Sequence, residues 1–318
     1  MLFRSPSSAA LTLQASLTVG TGPSFLAFAP DFSRLYANDE TGSTGRVIAF
    51  ALERSDGGLR RLNEATSGGK TVAHVAVDHT GNFVMTANYG DGFVAVLPVT
   101  DAGIGAPLST YQPGVRAHQI VVSLDNRFVY VPCLGSDLVA QYALDGGALT
   151  PLSPSSLSTA AKAGPRHLAL HPNGRFAYLI NELDSTLQAL ELDASGRFSS
   201  TQTVSSLPPD AGANTGAEVL VHPNGQFVYA SNRGHDSIAT FRVEPATGHL
   251  TLSAHTPTGG RTPRHFAIDA SGTLMLVANQ DTNDLHAFRI EPTTGQLTAL
   301  GRVATPQQPK FVAIVPTR

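Results

Sequence analysis

The chain has 318 residues and carries 24 acidic against 21 basic side chains, a net charge of −3. With 42% apolar and 14% charged residues it reads as a folded globular protein, and its weakly acidic balance excludes a general nucleic-acid footprint. A single cysteine, Cys133, excludes an intrachain disulfide and fits a reducing, cytoplasmic setting, and no apolar run approaches the roughly 20 residues of a membrane span.

From the start of the chain, one early Arg4 precedes an apolar stretch, Ala9 to Val19, broken by Thr12, Gln14 and Ser16. The stretch reads as a strand over Ala10 to Val19 and not as a signal peptide. A repeating element follows. Its starts are Ser24-Phe25, Ala73-His74, Ala117-His118, Arg166-His167, Ala217-Glu218, Arg264-His265 and Lys310-Phe311, at steps of 49, 44, 49, 51, 47 and 46 residues. Each start opens a short apolar run, a turn such as His171-Pro172-Asn173-Gly174, and a second run ending at Glu40, Tyr89, Leu134, Glu182, Arg233 or Gln280. Two more strand-like pieces complete each unit, such as Ile238 to Val243 and Leu250 to Ser253. About four strands per period in the 40s, with no helical spacing, point to an all-β protein, a β-propeller of four-stranded antiparallel blades.

The seven inner-strand starts predict seven blades in a single domain spanning residues 1–318. The last inner strand, Lys310 to Val315, is followed at once by the C-terminus. Residues 1–21 and 308–318 are therefore expected to close the last blade together. So short an N-terminal stretch predicts an incomplete seventh blade, whose open edge would favour a homodimer.

In such a blade the start of the first strand and the end of the second lie on one face, at the mouth of the central channel. That face collects Arg166, Arg233, Arg264 and Lys310, with Arg116 beside them, the histidines His74, His118, His167 and His265, and the acids Glu182 and Glu218. A basic ring in a weakly acidic chain argues for a small anionic ligand, which the planar guanidinium fork binds bidentately. Histidine and glutamate close by supply general acid–base chemistry. The plainer readings stand beside these: a histidine at a strand start can bond a neighbouring blade's backbone, and Arg264 or Glu218 can form interblade ion pairs. His171 and His222, in the turns, belong to the opposite face. The four histidines come from different blades without zinc-site spacing, so no metal is expected, and Cys133 has no sequence partner for a catalytic thiol.

Three segments carry a family resemblance: GPRHLALHPNGRFAYLINELDSTLQAL (164–190), YASNRGHDSIATFRVEPATGHLTL (229–252) and TPRHFAIDASGTLMLVANQDTNDLHAFRI (262–290). They resemble the lactonase family of seven-bladed propellers, which includes propeller-type 6-phosphogluconolactonases and carboxy-cis,cis-muconate cyclase. The resemblance implies lactone chemistry on a small anionic substrate without a cofactor, and motif matching carries its catalytic set onto His118, Glu182, Arg166 and Arg233. His74, Arg116, His167, Glu218 and Arg264 are then expected to contact substrate. Two departures fall on the same face: the family commonly has His-Ala-His at Arg116-Ala117-His118 and Asp-Leu-Gly at Cys133-Leu134-Gly135. The expected activity is hydrolysis of a sugar-acid lactone resembling 6-phosphogluconolactone. A lactone-forming cycloisomerase and a non-catalytic binding platform are the alternatives.

Overall fold

The structure is a computed structural model that describes residues 2–4, 12–20, 22–41, 44–53 and 57–315. Every regular element among them is a β-strand, and every strand pairing is antiparallel. Six sheets of four or more strands follow one another along the chain. We number them blades I to VI, covering residues 26–66, 72–111, 117–158, 165–205, 215–257 and 263–304. Spatial order within a blade is chain order. In blade II the outer position is shared by two short pieces, Gly103–Ile104 and Ser109–Tyr111, which both pair with Phe93–Thr100.

Burial explains the residue pattern of a blade. The second strand of blade IV, Phe176–Asn181, is buried at all six positions, because it is covered by a neighbouring blade on each face. It therefore reads FAYLIN, a continuous apolar run ending in a polar residue, instead of alternating. The outer strand, Phe198–Ser205, is mostly exposed after its first residue and reads SSTQTVS there. Between blades IV and V, Tyr178, Ile180 and Leu187 pack with Val219, Val228 and Phe241 in one apolar cluster. Each such fully buried Leu- or Phe-sized side chain contributes about 1.5–3 kcal/mol.

Two polar ties recur on the face away from the mouth. The hydroxyls of Tyr130, Tyr178 and Tyr229 donate to the carbonyls of Gly196, Gly248 and Gly295 in the next blade, at 3.0, 3.0 and 2.9 Å. His171 and His222 lie in the turns between first and second strands, as the sequence predicts. Their Nε2 atoms meet the Gly225 and Gly272 carbonyls of the following blade at 2.9 and 2.8 Å.

The chain ends differ from the repeat. The expected inner strand over Lys310 to Val315 is not formed. The N-terminal strand is shorter than the expected Ala10 to Val19: it covers Thr12–Ala15 and pairs with Leu2–Arg4 in a separate two-stranded sheet, while Ala10 and Leu11 lie outside the described residues. A strand persists only where its backbone finds a hydrogen-bonding neighbour. Residues 310–315 are held by side chains instead: Val312 is buried against Ala278, Leu285 and Ala287 of blade VI, with Ile314 beside it. On the other side of the gap Val19 packs against Leu35, Ala37 and Phe50 of blade I.

Candidate active site

The sequence places an arginine and a histidine side by side at the start of the inner strand of blade IV. In a regular strand neighbouring side chains point to opposite faces, so only one of the two would reach the channel. The structure resolves this with a β-bulge. Pro165 pairs with Asn181 and His167 with Ile180, which leaves Arg166 as the extra residue. The same irregularity occurs at Ala73 in blade II, at Ala217 and Glu218 in blade V, and at Arg264 in blade VI. In blade III the strand is interrupted at the same level, where Ala117 bridges Cys133 and the next pairing begins at Val121. A bulge re-aims side chains and is frequent beside active sites. Here it sends two adjacent residues towards the channel, where they form two layers.

The outer layer is ionic. Arg166 and Arg233 both reach Oε2 of Glu182, from Nε at 3.0 Å and Nη2 at 3.1 Å. Their forks are also tied to the backbone of blade V: Arg166 Nη1 donates to the Ala217 carbonyl and Arg233 Nη2 to the Gly216 carbonyl at 2.8 Å. Arg166 is only 3% exposed. Burial, then the charges of Arg233 and Arg264, push its pKa down to about 9, which leaves it charged at neutral pH. Burial likewise lowers that of Arg233, with Glu182 opposing the shift. Arg264 is half-buried and close enough for its charge to act on Arg166, Arg233, His118, His167 and His265. Among the described residues it makes no ion pair. Two guanidiniums thus share one carboxylate with a third close by, and the excess of the cluster is positive.

The inner layer plugs the channel. Phe25, His74, His118, His167, Glu218, His265 and Phe311 supply its side chains, one from each repeat. The ring centroids of Phe25 and His74 are 4.0 Å apart, those of His118 and His167 5.1 Å, those of His265 and Phe311 4.2 Å and those of Phe311 and Phe25 4.5 Å. Between them Glu218 links His167 and His265, with His167 Nδ1 at 2.9 Å and His265 Nε2 at 3.2 Å from its Oε2. Burial lowers all four histidines: His74 to about 3, His265 to about 4, and His118 and His167 well below the ordinary value. Arg166 adds to the effect at each, so these rings are neutral at pH 7. Burial raises the pKa of Glu218, against the pull of His265 and Arg166.

The structure therefore brings together Arg166, Glu182, Arg233 and Arg264 in one charged cluster, whose arginines act on His118, with His74, His118, His167, Glu218 and His265 in the adjoining layer. Arg116 stands apart. It is exposed, with its guanidinium 5.7 Å from the centre of the Tyr89 ring, and Tyr89 in turn meets the edge of His118 at 5.7 Å. Lys310 is paired with Glu40 at 3.4 Å. Cys133 is sealed and its thiol is pushed up to about 12 by burial. Among the described residues no group of three or more His, Cys, Asp or Glu side chains is arranged to hold a metal ion. A cleft of about 640 Å³ opens on the same face beside blades V and VI, lined by Arg261, Gln280, Asp281, Gln307 and Gln308 among others. None of the three clustered arginines lines it. Sequence reading missed one contributor, the Val312 backbone N–H that points at His265 Nδ1 at 3.4 Å, because a main-chain donor leaves no residue signature.

These features define an all-β propeller with a cluster of three arginines and a glutamate against a buried layer of neutral histidines. The chain belongs to the family described as lactonase, 7-bladed beta-propeller, whose profile matches residues 2–314. It is 35% identical over 260 residues to the 6-phosphogluconolactonase of Bacillus subtilis, covering 78% of this chain and 74% of that protein. It is 32% identical over 309 residues to that of Pectobacterium atrosepticum, covering 96% and 92%. Among solved structures, the periplasmic gluconolactonase of Pseudomonas aeruginosa superposes with a TM-score of 0.93 at 27% identity, over 99% of this chain and 94% of that one.

Proposed function

We propose that this protein hydrolyses sugar-acid lactones, with a 6-phosphogluconolactone-like compound as its substrate. The observation that carries the reading is the pairing of Arg166 and Arg233 on the carboxylate of Glu182, with Arg264 close by and all three charges acting on neutral His118. Arg264, the one of these three that makes no ion pair among the described residues, takes the anionic end of the substrate. Arg166 and Arg233, fixed by Glu182 and by backbone carbonyls, present their remaining N–H groups to the oxyanion that forms when water adds to the lactone carbonyl. Neutral His118 accepts the proton of that water and returns it to the ring oxygen when the C–O bond breaks. Glu182 Oε2 is held by both arginines, so this carboxylate acts chiefly as their clamp, with Oε1 available to a substrate hydroxyl. His74, His167 and Glu218 lie under the substrate, and Arg116 stands on the rim.

A seventh blade belongs to this proposal. The family is described as seven-bladed, and six full blades are formed among the described residues. Residues 310–315 take the inner position, supported by Phe311 filling the gap between His265 and Phe25, and the Leu2–Arg4 and Thr12–Ala15 pair completes it as a partial blade of one domain. A homodimer and a cytoplasmic location are proposed with it, to be read by light scattering and cell fractionation. No helix among the described residues is long and apolar enough to cross a membrane.

The test is proton release from freshly made 6-phosphogluconolactone and from unphosphorylated gluconolactone, with spontaneous opening subtracted. Turnover above background supports the hydrolase, and preference for the phosphorylated compound supports the substrate class. No turnover on either overturns it in favour of the lactone-forming cyclase or the binding platform, which product analysis on a muconate separates.

A further inference from the structure

The inner layer contains more order than a channel plug needs. The Val312 N–H can only donate, so His265 Nδ1, 3.4 Å away, is the acceptor. Its proton is then on Nε2, which faces Glu218 Oε2 at 3.2 Å. Glu218 also accepts from the Val219 N–H at 3.0 Å, and its own N–H is held by Ser231 Oγ at 3.0 Å. His167 Nδ1 lies 3.0 and 2.9 Å from the two carboxylate oxygens. Against the upward push of burial, the Val219 N–H on Oε1, the His265 Nε2–H facing Oε2 and the nearby Arg166 favour the ionised carboxylate. An ionised carboxylate accepts only, so His167 carries its proton on Nδ1 and presents a bare Nε2.

That Nε2 is buried and has no protein partner, and the same is true of His118 Nδ1. The two rings are neighbours, with centroids 5.1 Å apart at 67°. Neither nitrogen is within direct hydrogen-bond distance of the other, and at this ring separation one water can bridge them. His74 Nδ1 is a third such nitrogen, but its ring centroid is 5.9 Å from that of His167, so His118 is the nearer neighbour. Buried nitrogens left unpaired on adjacent rings are costly enough to call for a common explanation.

We propose that Glu218 is a positioning residue that acts through His167 on His118, in a buried Glu–His–His relay whose far end is braced by His265 and the Val312 N–H. In this relay His118 Nδ1–H donates through one bridging water to His167 Nε2, and His167 Nδ1–H donates to Glu218. His118 Nε2 is thereby left as the bare nitrogen on the substrate side. When water adds to the lactone carbonyl, its proton goes to His118 Nε2. The new imidazolium is stabilised along the chain by the Glu218 carboxylate. The proton then passes to the ring oxygen as the ring C–O bond breaks, leaving a hydroxy acid. The titratable and charged groups around His167 are its strand neighbour Arg166 and, from other blades, His74, His118, Glu218, His265 and Arg264. Only Glu218 among them is anionic, so it alone can favour a charged relay.

This inference rests on the reading of the site as a lactone hydrolase, and the experiment separates the two. Wild-type turnover of gluconolactone above background tests the hydrolase. Glu218→Gln tests the relay: the amide oxygen still accepts from His167, so packing is kept while the charge is lost. The expected result is a kcat lower by about 10²-fold with KM within about twofold, and an acid limb of the pH profile displaced from that of wild type. A kcat within about threefold and an unchanged profile would overturn the relay without touching the hydrolase. A measurement on the unaltered protein covers the case in which the variant does not fold. Nitrogen-15 shifts of the histidine rings report tautomers, and the relay requires His118 with its proton on Nδ1. The Nε2–H tautomer at His118 would sink the proposal whatever the activity.

Discussion

Arg166 and Glu182 meet across the first two strands of blade IV, Nε to Oε2 at 3.0 Å, and Arg233 of blade V approaches the same oxygen at 3.1 Å. One carboxylate thus holds two guanidiniums of neighbouring blades in fixed orientation. Glu182→Gln removes the charge that makes their proximity tolerable. We expect a rate loss of about 10²-fold or more on the lactone that wild type turns over best. The stability loss should fall between the ~1 kcal/mol of an exposed pair and the ~3–5 kcal/mol of a sealed one, because Glu182 keeps 20% of its side-chain surface exposed. Urea denaturation with steady-state kinetics on the same samples checks both. Arg166→Ala should lose activity to a similar degree, and wild-type rates in both variants would remove this pair from the mechanism.

Arg264 has a different role from its neighbours, because it makes no ion pair among the described residues while its charge is felt throughout the cluster. Arg264→Ala should raise KM for 6-phosphogluconolactone by about 10- to 100-fold, corresponding to the ~1.5–3 kcal/mol of a charged hydrogen bond. KM for unphosphorylated gluconolactone should move by about threefold or less. Equal effects on both compounds would assign Arg264 to the lactone ring and not to the anionic group.

The repeat and the site were legible in the sequence to different degrees. Phe25, His74, His118, His167, Glu218, His265 and Phe311 occupy one register of the repeat, so alignment alone placed them in one ring. The division into two layers was not legible. Arg166 and His167 are adjacent, and nothing in their order shows that a bulge turns both towards the channel, one into the ion-pair cluster with Glu182 and the other into the histidine layer. Arg116 shows the opposite limit. It adjoins the register at Ala117, yet its backbone has φ 58° and its side chain lies out over Tyr89, because blade III has a single bridge there in place of a bulge. The end of the chain was legible by register but not by hydrogen bonding: Phe311 takes its ring position without a strand around it.

Four buried neutral histidines make stability depend on acid. In the unfolded chain each titrates near ~6.5. In the folded protein His74 is lowered to about 3, His265 to about 4, and His118 and His167 well below the ordinary value, all chiefly by burial. Below pH ~6.5 the unfolded state therefore binds more protons than the folded state, and stability falls as pH drops towards those lower values. Glu218 acts the other way over its own range, because its raised folded pKa favours the folded state only at lower pH. The histidines outnumber it, so the net change is a loss. The urea midpoint should decrease from pH 7.5 to pH 5. A midpoint that is flat or rises over that interval would show that the plug is hydrated or already protonated.

The far face gives a prediction independent of the chemistry. Tyr178 is fully buried, and its hydroxyl donates to the Gly248 carbonyl at 3.0 Å, tying blade IV to the last turn of blade V. Tyr178→Phe keeps the ring that packs with Val219 and Phe241 and removes only the donor. The Gly248 carbonyl is then left buried without that partner, which costs about 1–3 kcal/mol. Tyr229→Phe does the same at Gly295 between blades V and VI. If each tie serves only its own blade interface, the two losses should add within ~0.5 kcal/mol in the double variant. Lactone turnover should be unchanged, because both hydroxyls lie at the turns opposite the mouth. A double variant much less stable than the sum would show that neighbouring interfaces are coupled through the ring. Altered kinetics in either single variant would show that the far face and the arginine cluster do not vary independently.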